Sequence, residues 1–281
     1  MFGGSLECFV RGISHDDSTV MKTVLVCHAG AMLTRFAFAR WLGSFTNLVG
    51  IVEIHEGGDR SLQRIKSEIK RIGLLRFIFD VLPYRAYSQL VDGAKDKSWE
   101  RAKLNELCDI YPDIGPTTEV LSTKSPNSIE TKEFLSRLAP DMVVARCKTL
   151  IREDIFSIPP DGTLVLHPGI CPEYRNAHGC FWALANDEPE KVGMTLLRID
   201  AGVDTGPIYG YYSYPFDIRR ETPAIIHNRV VYDNLDTLQE KLLEVHAGRA
   251  ETIDTAGRRS GVWGQPWLTQ YLQLKRRAAK Q

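Results

Sequence analysis

The stretch LVLHPGICPEYRNAHGCFWAL, residues 164–184, decides how the rest of the chain is read. An apolar run, Thr163–Leu166, ends on His167, and Pro168 with Gly169 then breaks the strand. A polar loop follows, stiffened by Pro172 and carrying a second histidine, His178. It leads into an aromatic-rich helix start. A histidine at the tip of a strand has two readings. It closes the strand, or the strand exists to present it.

Outward from this point, short β-branched runs at Thr23–His28, Leu48–Ile54, Met142–Ala145 and Met194–Ile199 read as further buried strands. Helical patterns lie between most of them. Gly30–Leu42 follows the first strand, and Ala177–Ala185 and Thr222–Val245 come later. Asn127, with Glu130 three residues on, reads as the N-cap of a helix that ends before Pro140. Strand–helix alternation of this kind predicts an α/β fold: an open, mostly parallel, Rossmann-like sheet with helices on both faces. Ligands on such sheets sit beyond the carboxyl ends of the strands, where His167 lies.

The expected organisation is a leader over 1–20 without fixed structure, an α/β domain over 21–250 and a C-terminal extension over 251–281. Met21 directly precedes the first strand, so translation starting there is an alternative to Met1. Residues 59–110 break the alternation and read as a helical insertion. Within them Leu62, Ile65, Ile69 and Ile72 form an apolar stripe, with Arg60, Arg64, Lys66, Lys70 and Arg71 elsewhere around the helix. The stripe is expected to pack on the domain with the basic face in solvent; a membrane surface or a partner helix is the alternative. In the extension, GVWGQPW (residues 261–267) sets two tryptophans in a turn-rich loop, which predicts that the tail docks on the main domain.

The chain has 281 residues, 43% hydrophobic and 25% charged, with a formal net charge of zero. That balance suits a globular protein and gives no pointer to nucleic acid or membrane, so neither is expected as a partner. No apolar run approaches the roughly 20 residues of a spanning helix, and the first residues lack a secretory pattern. Six cysteines are scattered without a CxxC pair, which predicts reduced thiols in a cytoplasmic protein and no metal site. The first strand ends VCHAGAMLTRF, which is not GxGxxG; GxxxxGK[ST] and GxSxG are also absent.

What remains is a pair. His167 follows one strand, and Asp204 sits in Gly202-Val203-Asp204-Thr205-Gly206-Pro207 after another. Flanking glycines predict a sharply turned backbone at Asp204. A carboxylate beside an imidazole orients it and favours its protonated form, which makes an acid–base pair. Each residue alone also has a structural reading, Asp204 as a cap of turn amides above all.

Residues 141–210 resemble the folate-dependent formyltransferase family, which includes the methionyl-tRNA, glycinamide ribonucleotide and nucleotide-sugar N-formyltransferases. That family reads Asn-x-His-(Pro/Ala)-Ser-Leu-Leu-Pro, then an aromatic, a basic residue and usually Gly, a helix, a Gly-x-Thr strand and Asp-Thr-Gly. This chain has His167-Pro168-Gly169-Ile170-Cys171-Pro172, Tyr174-Arg175, Gly193-Met194-Thr195 and Asp204-Thr205-Gly206. Upstream, Pro140–Pro159 is similar to the segment whose backbone cradles the pterin.

The resemblance implies the formyltransferase fold and transfer of a formyl group from N10-formyltetrahydrofolate to an amine of a small molecule, without a metal. His167 would stabilise a tetrahedral oxyanion or move a proton, and Asp204 would hold the imidazole and help accept the amine proton. Arg146, Cys147, Lys148, Thr149, Leu150 and Asp200 would bind the folate. His28, Arg35 and His178 would line the acceptor side. The helical segment after the second strand argues against the purine precursor, and the short tail against tRNA. A homodimer is compatible with the pattern.

One departure is central. Where the family has Asn two residues before the histidine, this chain has Val165. A valine cannot donate to an oxyanion, and loss of one such donor costs about 100- to 1,000-fold in rate. Three alternatives follow: Asn176 or His178 supplies the donor, with Asn176 placed among the catalytic residues; the protein hydrolyses the formyl donor; or it binds folate or a partner without turnover.

Overall fold

The computed structural model describes residues 20–280. All but the last residue of the expected leader lies outside them. In chain order the strands are β1 (Lys22–His28), β2 (Asn47–Ile54), β3 (Glu119–Thr123), β4 (Met142–Arg146), β5 (Thr163–His167), β6 (Arg175–Asn176), β7 (Met194–Arg198), β8 (Ile208–Tyr212) and β9 (Val262–Trp263). Seven of them form one sheet in the order β3-β2-β1-β4-β5-β7-β8. The pairs from β3 to β5 are parallel, and β7 runs antiparallel to both β5 and β8. The fold is thus α/β with a mostly parallel central sheet. Strand order reverses between β1 and β4, and the crevice at such a switch point is where ligands bind.

Period-two alternation sorts the strand residues between two cores. Val24, Val26, Val52 and Val143 face Phe134, Leu135, Ile151 and Ile155 on one side. Leu25, Cys27, Val144 and Leu164 face Trp41, Trp182, Ile226 and Leu238 on the other. Cover on both faces explains why these strands read as unbroken apolar runs. Each fully buried Val, Leu, Ile or Phe in them contributes about 1.5–3 kcal/mol.

Several expectations are corrected. β3 escaped notice because it is an edge strand, largely exposed and without apolar alternation. With β3 in place, residues 58–110 are the crossover that a parallel β2–β3 pair requires. They run through the helices Gly58–Ile72, Leu74–Arg76, Leu82–Val91 and Gly93–Ile110, with a π-helical turn at Phe77–Val81. The helix expected to be capped by Asn127 starts one residue later. Ser128 Oγ accepts the Thr131 N–H at 3.2 Å, and Asn127 instead braces Leu150 and Arg152. Thr222–Val245 is two helices, Pro223–Tyr232 and Leu235–His246. Between them the Asn234 side chain donates to the Val230 carbonyl at 3.0 Å and ends the first helix.

The apolar stripe is not core. Leu62 is exposed, and Ile65, Ile69 and Ile72 are only half-buried. The helix turns Ile65, Glu68, Ile69 and Ile72 inward as half-buried positions; Glu68 accepts the Gln265 N–H at 3.2 Å, and the exposed Arg64 pairs with Glu56.

The extension docks through its tryptophans. Trp263 stacks on Trp182 with centroids 4.9 Å apart and on Tyr174 at 5.6 Å. Beyond it, the helix Leu268–Ala278 buries Tyr271, whose hydroxyl donates to the buried Asp92.

Candidate active site

β5 carries His167 to the carboxyl edge of the sheet, where it is 7% exposed. Its Nε2 lies 2.7 Å from the Tyr174 carbonyl oxygen. A carbonyl only accepts, so Nε2 carries the hydrogen and Nδ1 is left to face Asp204 Oδ2 at 3.6 Å. Asp204 has φ 51°, a left-handed conformation within the tight turn that the sequence predicts. The same Oδ2 accepts the backbone N–H of Asn176 at 2.7 Å. The expected pair is therefore brought together, but the imidazole is oriented first by a backbone carbonyl. Asp204 both faces the ring and pins the loop.

Gly169 makes this possible. A Cβ there would lie 2.5 Å from the Tyr174 oxygen and 2.7 Å from His167 Nε2. The glycine thus allows the loop to fold back on the histidine.

The Asn176 side chain, expected as an oxyanion donor, is engaged with another residue. Asn176 has φ 79°, and its amide donates to the Trp263 carbonyl, tying β6 to β9. Val165, paired with Ala145 and Leu197 in the sheet, packs against Cys171, Leu197 and Ile208. As residues i and i+2 of one strand, Val165 and His167 share a face.

His178 caps the helix Gly179–Ala185 from a left-handed conformation, φ 56°. Its ring centroid is 6.5 Å from that of His227, a residue of the Pro223–Tyr232 helix. Burial, then the charges of Lys148 and Arg85, push His178 down to about 4, against the opposing field of Glu68. Burial, with His178, Arg146, His167 and Lys148 around it, holds His227 well below its ordinary value. At neutral pH both rings are neutral and each keeps one N–H. His227 was missed in the sequence; its signal is a lone polar residue directly after the buried Ile225-Ile226.

The segment after β4 spans the crevice. The Lys148 N–H donates to His28 Nε2 at 2.9 Å, and His28 Nδ1 faces Glu56 at 3.6 Å, which joins the ends of β1 and β4. Arg146 lies beside the rings of Phe38 and Tyr232, donates weakly to the Leu166 carbonyl, and keeps a buried Nε without a hydrogen bond. Cys147 is raised to about 11 by burial and stays a thiol. Thr149 contacts Glu56, and Leu150 is exposed. Arg35 pairs with the buried Glu53. Cys27 is core, and burial with the Glu53 charge raises it to about 12. Asp200 braces its own turn, accepting from Gly202 and Thr205 at 2.9 and 2.7 Å. Among the described residues no group of three or more His, Cys, Asp or Glu could hold a metal ion.

Residues 96–242, more than half of the chain, match the family model described as formyl transferase. The chain is 30% identical over 135 residues to a methionyl-tRNA formyltransferase of Geobacter sulfurreducens, a match covering 48% of this chain and 41% of that protein. It is 37% identical over 111 residues to the methionyl-tRNA formyltransferase of Thermus thermophilus, covering 39% of this chain and 36% of that one. The chain thus spans less than half the length of these curated relatives. In fold it is similar to the phosphoribosylglycinamide formyltransferase of Anaplasma phagocytophilum, with a TM-score of 0.51 and 14% identity over 87% of this chain and 98% of that one.

Proposed function

Because the chain belongs to the formyl transferase family, we propose that it carries a formyl group from N10-formyltetrahydrofolate to the amine of a small molecule. The observation that supports this most is the His167–Asp204 pair at the carboxyl edge of the sheet, one strand from the switch point, with His227 in electrostatic reach of His167 and His178 next to His227. When bound, the donor supplies an electrophilic formyl carbon, and transfer to nitrogen demands two things of the protein. A proton must leave the amine, and negative charge must be met at the formyl oxygen.

His167 and Asp204 serve the first demand. Nε2 is fixed on the Tyr174 carbonyl, so a proton received at Nδ1 is held against Asp204 Oδ2. The second demand falls on His178 and His227. Val165 cannot donate and the Asn176 amide is engaged elsewhere. His227, which feels the His167 charge, and His178 next to it are the neutral side-chain donors assigned this role, and neutrality lets them stabilise charge without giving up a proton.

The end of β4 and the residues after it would meet a polar heterocycle. Arg146 Nε is a buried donor in want of an acceptor, and such groups in native proteins are usually paired with something. His28 and Arg35, at the ends of β1 and the following helix, would line the acceptor side. Val165 is the residue that favours the other reading, binding without turnover.

The test is a panel of small amines incubated with N10-formyltetrahydrofolate, following release of tetrahydrofolate. Release that depends on a particular amine supports transfer. Release by water alone makes the protein a hydrolase, and binding without release makes it a folate-binding protein.

A further inference from the structure

The crossover between β2 and β3 leaves an apolar surface uncovered. Leu75 is 73% exposed and Phe79 72%, with Leu62, Leu74 and Ile78 also open to solvent. Single exposed leucines are ordinary, but Leu74, Leu75, Ile78 and Phe79 fall within six residues of chain. Ile72, Leu74, Leu75 and Phe79 line one shallow groove. Gly73, at φ 86° and ψ 153°, ends the Gly58–Ile72 helix and starts the next, a conformation that favours glycine. Ile72, the last residue of the half-buried stripe, thereby meets the apolar turn after it in one patch. Patches of this kind on a folded protein mark an interaction surface.

Charge decides what covers it. Residues 62–91 carry six cations (Arg64, Lys66, Lys70, Arg71, Arg76 and Arg85) and two carboxylates (Glu68 and Asp80), within a chain of zero net charge. Arg64 and Arg71 are paired with Glu56 and Glu68, while Lys66 and Lys70 are exposed. A two-fold contact between copies would bring this basic rim against itself. A layer of anionic headgroups would neutralise it while the acyl region receives Leu75 and Phe79. An amphipathic helix with cations beside large apolar side chains is the chemistry of a surface-bound helix. No helix among the described residues is long and apolar enough to cross a membrane, so the mode is lying on the surface.

We infer that residues 62–82 dock this protein on an anionic lipid surface, through Leu75 and Phe79 with Lys66 and Lys70 at the headgroups.

The test is sedimentation of the full chain with vesicles. The native chain should partition onto phosphatidylcholine vesicles containing phosphatidylserine, bind pure phosphatidylcholine far less, and release as salt is raised. Leu75→Glu with Phe79→Glu should weaken partition at least about tenfold, and so should Lys66→Glu with Lys70→Glu. All four positions are exposed, so both variants should melt like the native chain. Equal indifference of the native chain to both vesicle types would overturn the inference. So would a native dimer in sedimentation velocity that the Leu75→Glu, Phe79→Glu chain loses, because a second copy would then own the patch.

Discussion

The Tyr174 carbonyl oxygen sits 2.7 Å from His167 Nε2, and the Tyr174 ring stacks 5.6 Å from Trp263 in the C-terminal extension. The acceptor that orients the histidine is thus held by a segment that lies outside the matched family region. Around it, Arg258 grips the buried Glu173 carboxylate through two hydrogen bonds of 3.1 and 2.7 Å. Trp263 Nε1 donates to the Glu173 carbonyl at 2.8 Å.

Arg258→Met should leave Glu173 buried without its partner and destabilise the protein by about 3 kcal/mol. Adding Glu173→Gln should return part of that loss, because both changes act on one ion pair. Under conditions where the single variant is folded, turnover should fall by about tenfold through the displaced Tyr174 carbonyl. Thermal melts of the two variants, read with their turnover, check both. Additive melts and native turnover would separate the clasp from the site.

The donor assignment separates Asn176 from the histidines. Asn176→Gly removes the amide and accommodates φ 79°, so turnover should stay within a few-fold of native. His227→Phe keeps an aromatic ring but no N–H, and should cost about 100-fold or more in kcat. A reversed order, with Asn176→Gly the crippled variant, would return the role to the amide.

Both depressed histidines predict a pH dependence whose sign is fixed. Their folded values lie below the ordinary 6.5, so the unfolded chain takes up these protons first. The stability they confer is complete above pH 6.5 and drains away as pH falls, for His178 through about 4. In NMR titration the His178 ring should show its midpoint near 4. A midpoint at the ordinary value for both rings would remove the neutral donors from the account.

The corrected stripe gives a stability test. Leu62 is exposed, so Leu62→Asp should shift unfolding free energy by no more than about 0.5 kcal/mol in a denaturant melt. A loss of several kcal/mol would restore the stripe to the core.

Much of this was legible in the sequence because buried parallel strands announce themselves. Val24–Cys27 and Met142–Ala145 are apolar on both faces, and His167 ends such a run. β3 was not legible, since Glu119–Thr123 is an edge strand with little to bury. Without β3 the crossover looked like an insertion. The stripe misled because periodicity reports that a helix has an apolar face, not that the protein covers it. His167 and Asp204 stood out through the turns around them, and the structure sets them side by side. The fates of Asn176 and His227 depend on long-range partners. Trp263 is 87 residues from Asn176, and His227 approaches His178 from another helix. Local pattern carries no trace of such pairings.

His167 is proposed to handle the proton in formyl transfer. That role is tested most directly by the rate of amine-dependent tetrahydrofolate release in the His167→Gln chain relative to the native one, at saturating N10-formyltetrahydrofolate. The rate should fall about 100-fold or more, with folding and folate affinity nearly unchanged. A rate within a few-fold of native would contradict it.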